Sequence, residues 1–141
     1  IDLFAGSGAL GLEALSRGAT QAFFVEKSHQ SLQVLNKNIN KLNLKEKCGV
    51  FKGNALSWID TFNFSQNNYL FLLDPPYESE LINDALKKLE EKHVLFKKSL
   101  FILETMKSIE LNIPDRFELF QKKQYGSTAV YFLTLENRKE P

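Results

Sequence analysis

The sequence holds very little of what disulfide-rich and metal-dependent proteins are built from. It has one cysteine, Cys48, and two histidines, His29 and His93, in 141 residues. A single cysteine excludes a disulfide framework and a cysteine-rich zinc site within the chain. Two histidines make a histidine-rich metal site unfavourable, so we expect no metal. One free thiol is typical of a reducing compartment, and we therefore expect a cytoplasmic protein.

The sequence also lacks excess charge and long apolar runs. Its net charge is +1, from 18 Lys and Arg residues against 17 Asp and Glu residues. This balance excludes nucleic-acid binding by bulk charge alone and a polybasic membrane anchor. The longest apolar stretch, residues 69–73, is far shorter than the roughly 20 residues of a membrane-spanning helix. We expect no signal peptide and no membrane association.

What is present suits a single globular domain. Hydrophobic residues make up 43% of the chain and charged residues 25%, which is enough apolar material for one core at this length. We expect one domain over residues 1–136, a frayed tail over 137–141, and a monomer as the default state.

The chain opens on a segment typical of a buried strand, Ile1-Asp2-Leu3-Phe4, followed directly by Gly6-Ser7-Gly8-Ala9-Leu10-Gly11. The glycine spacing is G-x-G-x-x-G. In this pattern the first glycine allows a tight turn, the second allows close approach of a ligand, and the third allows a helix to pack on the strand. A strand so near the start needs anchoring on both sides, so we expect a segment upstream of Ile1.

A strand–helix–strand unit follows from this turn. Leu10, Ala14 and Leu15 form the predicted inner face of a helix that Gly18 ends. Residues 22–25 form an apolar strand that leads to Glu26. A carboxylate at this position offers only acceptors, which suits the two hydroxyls of a ribose. The unit therefore predicts an adenosine-type ligand.

Asp2 favours one adenosine ligand over others. A carboxylate four residues before Gly6 would oppose the pyrophosphate that a dinucleotide places at the helix N-terminus. S-adenosylmethionine has a sulfonium, an ammonium and no phosphate, so it is favoured over NAD. The lysine of a P-loop is absent, which disfavours ATP hydrolysis.

The rest of the chain alternates between the two element types. The patterns predict helices over 29–42, 56–59 and 80–92, and strands at 50–51, 69–73, 100–103, 117–124 and 129–135. The last two strands are joined by four residues, which predicts an antiparallel hairpin. The fold class is α/β, with a mostly parallel, seven-strand-type, doubly wound sheet. Because Gly6–Gly8, Glu26, Asn54 and Asp74 follow strand ends, we expect them at one edge of the sheet.

The tetrapeptide Asp74-Pro75-Pro76-Tyr77 carries the reaction chemistry. Two prolines stiffen the chain and remove two N–H donors, and Pro75 holds Asp74 extended. The carboxylate and nearby carbonyls are then fixed acceptors for both hydrogens of an amino group. Tyr77 supplies a flat face on which a base can stack, worth about 1–3 kcal/mol in single-strand complexes. Transfer to such a nitrogen needs mostly positioning and electrostatics.

These motifs resemble the class I S-adenosylmethionine-dependent methyltransferases that act on amino nitrogens. Residues 2–19 and 124–131 more narrowly resemble the RsmD family of bacterial 16S ribosomal RNA guanine-N2 methyltransferases. The resemblance covers nearly the whole chain. It implies a Rossmann-like fold, S-adenosylmethionine as cofactor with S-adenosylhomocysteine as product, and 16S ribosomal RNA, within a small-subunit particle, as partner.

The resemblance also implies roles for individual residues. Around the methionine end of the cofactor it places Asp2, Phe4, Ala5, Gly6, Ser7 and Gly8. Glu26, followed by Lys27, holds the ribose hydroxyls, and Asn54 and Ala55 lie beside the adenine. The candidate catalytic residues are Asp74, Pro75, Pro76 and Tyr77. Asp74 and Pro75 accept from the guanine amino group, Tyr77 stacks on the flipped base, and Asp74 also borders the cofactor.

Two departures from the family pattern are visible. Members usually carry Asp where this chain has Asn54, so we expect its side-chain carbonyl to keep an adenine contact of altered strength. Members also have a basic N-terminal segment before the first strand, which helps to cover the cofactor and is not in this sequence. Glu104 ends a predicted strand near the site, and the sequence assigns it no role.

Other functions stay open at this stage. An amino methyltransferase acting on DNA adenine or on a protein glutamine would use a similar tetrapeptide. Glutamine modifiers usually have Asn in place of Asp74, and DNA enzymes usually need a recognition insert. A non-catalytic adenosine-binding module or an NAD-dependent oxidoreductase is a third possibility, against which Asp2 and the two prolines argue.

Overall fold

The computed structural model describes residues 1–65, 67–76, 79–92 and 98–135. Four α-helices and six strands lie along this part of the chain, with one short 3₁₀ turn. In order they are α1 (Ala9–Ser16), β1 (Ala22–Glu26), α2 (His29–Lys41), the turn Lys45–Lys47, β2 (Cys48–Lys52), α3 (Ala55–Thr61), β3 (Leu70–Leu73), α4 (Ser79–Glu91), β4 (Leu100–Met106), β5 (Phe117–Tyr125) and β6 (Thr128–Leu135). The tail expected at 137–141 lies outside the described residues. None of these helices is long and apolar enough to cross a membrane.

The strands form one sheet, which the N-terminal segment completes. Asp2 pairs in parallel with Phe24 of β1 on one side and with Leu72 of β3 on the other. The order is therefore β2, β1, the segment at Asp2, β3, β4, β6, β5. β1 with β2 and β3 with β4 are parallel, whereas β6 is antiparallel to β4 and β5. The predicted mostly parallel sheet with a terminal antiparallel hairpin is confirmed.

Helices cover both faces of this sheet, as the doubly wound prediction requires. Apolar residues of α1 and α2 pack with Phe24 on one face, and those of α3 and α4 pack with β3 and β4 on the other. Phe71 of β3 stacks on Phe101 of β4 with ring centroids 4.7 Å apart. Because β3 is flanked on both sides and covered on both faces, it shows the unbroken apolar run seen in the sequence.

The inward position predicted for Leu10 is wrong. Leu10 is 41% exposed, because α1 rests on β1 through Gly11 and Leu12, and Leu10 points to the side. Leu42 is 53% exposed, because α2 ends at Lys41 and Leu42 only caps it. The Ser28 side chain caps the N-terminus of α2 by accepting from the Ser31 N–H. α3 extends from Ala55 to Thr61 and is longer than the turn predicted at 56–59.

Replacing Gly11 by alanine should destabilise the fold. A Cβ at this position would lie 2.4 Å from Cε1 of Phe24, whose ring is fully buried. Glycine-to-alanine changes inside helices usually stabilise by about 1 kcal/mol, but forced overpacking costs about 1–3 kcal/mol. We expect chemical denaturation to show a net loss for Gly11→Ala. Ser16→Ala, at the exposed end of the same helix, is the control for helix propensity, and equal gains in both variants would contradict the tight contact.

Candidate active site

A cleft of about 620 Å³ opens at the carboxyl ends of the central strands. That volume lies in the usual range for small-molecule sites. Its walls come from the N-terminal loop, the ends of β1, β3 and β4, and the start of β6. The sequence-predicted residues that line it are Asp2, Phe4, Ala5, Gly6, Ser7, Glu26, Lys27, Asp74, Pro75 and Pro76. Of the strand-end groups expected to converge, Gly6, Ser7, Glu26 and Asp74 line this cleft, whereas Gly8 and Asn54 do not.

The glycine loop is held in place by Glu26. Gly6 has a φ of 54°, and no atom lies within 4 Å of where its Cβ would be, so its backbone faces the open cleft. The Gly6 N–H donates to Oε2 of Glu26 at 2.7 Å, and the Ser28 N–H donates to Oε1 at 2.8 Å. The carboxylate is thus fixed at the rim, and its remaining lone pairs can accept from a ligand.

Gly8 has a different role from the one predicted. It is not among the residues that line the cleft, because it is buried at the N-terminus of α1 with a φ of 82°. A Cβ there would lie 2.3 Å from Cδ1 of Leu35 in α2. The close approach of a ligand that we expected at Gly8 is possible at Gly6, while Gly8 allows two helices to pack.

Asp2 is a buried carboxylate with one unbonded oxygen. The residue is 2% exposed, and its Oδ2 accepts from the Gly11 N–H at 3.2 Å. Oδ1 has no hydrogen-bond partner among the described residues. Burial raises the pKa of Asp2 to about 6, although backbone hydrogen bonds from Gly11 and Phe4 oppose this. An unpaired anionic oxygen beside a cleft is suited to a cationic group.

The Asp-Pro-Pro segment follows β3 at the floor of the same cleft. Asp74 is exposed to the cleft, Pro75 is buried and Pro76 is exposed. Partial enclosure raises the pKa of Asp74. Neither proline has an N–H to compete for the carboxylate. Tyr77, the fourth predicted residue, lies outside the described residues.

Asn54 and Ala55 line a smaller hollow of about 60 Å³ next to the cleft, and Phe4, Glu26, Lys27 and Pro76 border both. Oδ1 of Asn54 caps α3, where it accepts from the Leu56 N–H at 2.9 Å and the Ser57 N–H at 3.2 Å. Because both lone pairs of this carbonyl are engaged, it is not available for the predicted adenine contact, which stays a prediction for the residue itself. The side-chain NH₂ is the group left for a ligand.

One wall of the cleft, formed by β4, the turn after it and the start of β6, was not predicted, except that Glu104 was placed near the site without a role. The wall consists of Glu104, Thr105, Met106, Ile109 and Thr128. Burial, and then the charge of Asp74, raise the pKa of Glu104. Glu104 lies inside β4, one residue beyond its last pair with β3, so the strand-end argument that selected Asp74 gave its place but no role.

The electrostatics of the cleft oppose phosphate and favour a cation. Four lining carboxylates belong to Asp2, Glu26, Asp74 and Glu104, and the lining includes one lysine, Lys27. Such a field attracts positive groups and repels anions. The described ranges contain no group of three histidine, cysteine or acidic side chains that could hold a metal ion. The arrangement therefore combines a fixed carboxylate for hydroxyls, an unpaired buried anion, and rigid acceptors for an amino group.

Known proteins share both the sequence and the fold. A family model described as "Conserved hypothetical protein 95" matches residues 1–134. The chain is 32% identical over 131 residues to the protein named ribosomal RNA small subunit methyltransferase D of Buchnera aphidicola, covering 93% of this chain and 68% of that protein. It is 33% identical over 144 residues to the Escherichia coli protein of the same name, covering 99% and 70%.

A solved structure agrees over nearly the full chain. It is described as a conserved hypothetical protein of Streptococcus pyogenes and superposes with a TM-score of 0.86 at 31% identity. The match covers 99% of this chain and 86% of that one.

Proposed function

Because the chain belongs to the RsmD family of S-adenosylmethionine-dependent ribosomal RNA methyltransferases, we propose that it methylates the N2 amino group of a guanine in 16S ribosomal RNA. The observation that carries this proposal is the juxtaposition, in one acidic cleft, of the glycine loop with Asp2 and the Asp74-Pro75-Pro76 segment. The first two suit a cationic adenosine cofactor, and the third suits an amino acceptor. The single sheet from Asp2 to Leu135 supports one catalytic domain over residues 1–136.

The residues present fit the cofactor. When bound, S-adenosylmethionine supplies an electrophilic methyl group on a positively charged sulfur. Oδ1 of Asp2, buried and without a partner among the described residues, offers an acceptor to the cationic end. Glu26, held by the Gly6 and Ser28 N–H groups, offers acceptors to the ribose hydroxyls. The backbone at Gly6 faces open space, so a ligand can approach it closely.

Asn54 contacts the adenine through its amide. Since Oδ1 caps α3, the NH₂ group can donate to a ring nitrogen of the base. An aspartate at this position has no such donor. Ala55, beside it in the same hollow, supplies apolar contact.

Asp74 and the two prolines hold the acceptor. The Asp74 carboxylate accepts from one N–H of the guanine amino group, which directs the nitrogen lone pair towards the methyl group. The amino nitrogen becomes positive as it takes up the methyl group, and it then releases one proton to solvent. The bound cofactor would supply the methyl group, and its sulfur would be the leaving group. The nearby carboxylate stabilises that developing charge. The sequence resemblance assigns Tyr77 the role of stacking on the base. The guanine has to leave its helix first, because its amino group is otherwise paired.

The test is a methyl-transfer assay. The chain is incubated with S-adenosylmethionine labelled in the methyl group and with 30S subunits from a strain lacking its own enzyme of this family. The RNA is then digested to nucleosides. We expect label in N2-methylguanosine at one position of the 16S RNA. Label in another nucleoside, in DNA or in a glutamine of a ribosomal protein would overturn the proposed substrate and keep the cofactor.

A further inference from the structure

We propose that Glu104 recognises the target base by accepting a hydrogen bond from the N1–H of guanine, beside the amino group held by Asp74. This inference rests on the proposed function and names a recognition residue that the family motifs do not include. Three features support it: the register of β3 and β4, the shared cleft, and a Glu104 side chain without a hydrogen-bond or ion-pair partner among the described residues.

The register places Glu104 next to Asp74. β3 and β4 are parallel, and Leu73 pairs with Leu103. Asp74 and Glu104 are each one residue further along, and neighbouring strands lie about 4.8 Å apart. Side chains alternate along a strand, so both carboxyl groups lie on the face opposite the buried Leu73 and Leu103. Both indeed line the same cleft.

The Glu104 carboxyl group is free to bind a ligand. It is half-buried, and it makes no hydrogen bond or ion pair with any side chain or backbone group in the described ranges. The carboxylates of Asp2 and Glu26, by contrast, accept from backbone N–H groups. A half-buried carboxyl group without a donor is unfavourable, and burial raises its pKa. A ligand with an N–H at this position removes that penalty.

Guanine matches this pair of acceptors. Its N1–H and its amino group are adjacent donors on one edge of the ring, so two neighbouring carboxylates can each accept from one of them. Adenine has an amino group beside a ring nitrogen that carries no hydrogen. This nitrogen and the Glu104 oxygen are both acceptors, so they would repel each other. A site built to accept an N–H rejects a base that lacks it, because its buried acceptor is left unpaired.

The test compares a base that donates a hydrogen bond from N1 with a base that accepts one there. The substrate is RNA carrying either guanine or 2-aminopurine at the methylated position mapped in the assay above. 2-Aminopurine keeps the amino group but has an acceptor at N1. We expect the wild-type chain to methylate guanine roughly 10–100-fold faster than 2-aminopurine. Glu104→Gln should lose about 10–100-fold on guanine and favour 2-aminopurine, because its amide can donate to N1.

Two further variants separate recognition from folding. Glu118→Gln changes an exposed glutamate of β5 and should behave as wild type on both bases. Glu104→Asp keeps the charge but shortens the side chain, and it should lose rate on guanine without favouring 2-aminopurine. All variants should bind S-adenosylhomocysteine as the wild type does, which confirms that the cleft is folded.

The outcomes distinguish this inference from the function on which it rests. If Glu104→Gln keeps the wild-type preference for guanine, the inference is overturned while RNA methylation stands. A uniform loss on both bases, with no change of preference, also overturns it. If the wild-type chain labels no guanine in ribosomal RNA, the proposed function fails and the inference fails with it.

Discussion

Replacing Asp74 by alanine is expected to lower methyl transfer by about 10²–10³-fold, the usual loss when one preorganised hydrogen-bonding group is removed from a reacting centre. The carboxylate lies at the end of β3, exposed to the cleft and followed by two residues without N–H groups. In the proposed reaction it meets the amino group and not the adenosine. The binding of S-adenosylhomocysteine should therefore remain close to the wild-type value.

The measurement separates the chemical step from cofactor binding. Single-turnover transfer at saturating S-adenosylmethionine gives the first, and calorimetric titration with S-adenosylhomocysteine gives the second. Asp74→Asn keeps one acceptor oxygen and should retain more of the rate than alanine does. Asp84→Ala changes an exposed aspartate of α4 and is the matched control. Equal losses of binding and transfer in Asp74→Ala would show that Asp74 serves the cofactor, which contradicts its assignment to the acceptor.

The sheet could be predicted because its signals are local. An apolar run, a glycine turn, an amphipathic helix and a second apolar run specify a parallel unit with little dependence on the rest of the chain. The positions of Glu26 and Asp74 follow from the same logic, because Glu26 is the last residue of β1 and Asp74 directly follows β3. Asp2 was selected by its charge in an apolar segment, and the structure shows it in the central strand position between β1 and β3.

What could not be predicted depends on how elements meet in space. Leu10 and Leu12 are both apolar residues of α1, and only the contact of Gly11 with Phe24 decides which of them is buried. Gly8 serves helix packing because Leu35 of α2, far along the chain, reaches it.

Side-chain hydrogen bonds could not be predicted from the sequence either. Asn54 was read as a ligand contact, and its carbonyl caps α3. Both functions suit an asparagine at the start of a helix, so the residue type alone could not separate them. The position of Glu104 beside Asp74 follows from the β3–β4 register and could not be predicted from its residue type.

Asp2→Asn is expected to stabilise the ligand-free protein while weakening cofactor binding. Burial holds the pKa of Asp2 at about 6 in the folded state, above its usual 3.8. Backbone hydrogen bonds from Gly11 and Phe4 lower this pKa, and the charge of Asp74 adds to the rise. A folded-state pKa that is raised means that the folded protein binds the proton more tightly than the unfolded chain does. The free energy of unfolding of the wild type therefore falls as the pH rises from about 4 to about 6, and stays low above that.

Asparagine has no such ionisation, so its advantage should grow through that pH range and then level off. A pKa shift of this size corresponds to roughly 3 kcal/mol in the free energy of unfolding. The new amide places an unpaired N–H where Oδ1 was, which costs part of that gain. The net stabilisation by Asp2→Asn should therefore be about 1–2 kcal/mol at pH 7.5. Denaturant unfolding at pH 4, 5, 6 and 7.5 measures the difference. Asp84→Asn, at an exposed position, should show no comparable gain.

The same substitution should weaken the binding of S-adenosylmethionine, because it removes the buried negative charge that faces the cleft. A protein selected for stability alone would not keep a carboxylate at 2% exposure in the middle of its sheet with one oxygen unpaired among the described residues. The ionised Asp2 is unfavourable in the empty protein and becomes favourable when a cation pairs with Oδ1. If Asp2→Asn leaves both the pH dependence of stability and the cofactor affinity unchanged, the buried charge of Asp2 does not serve cofactor binding.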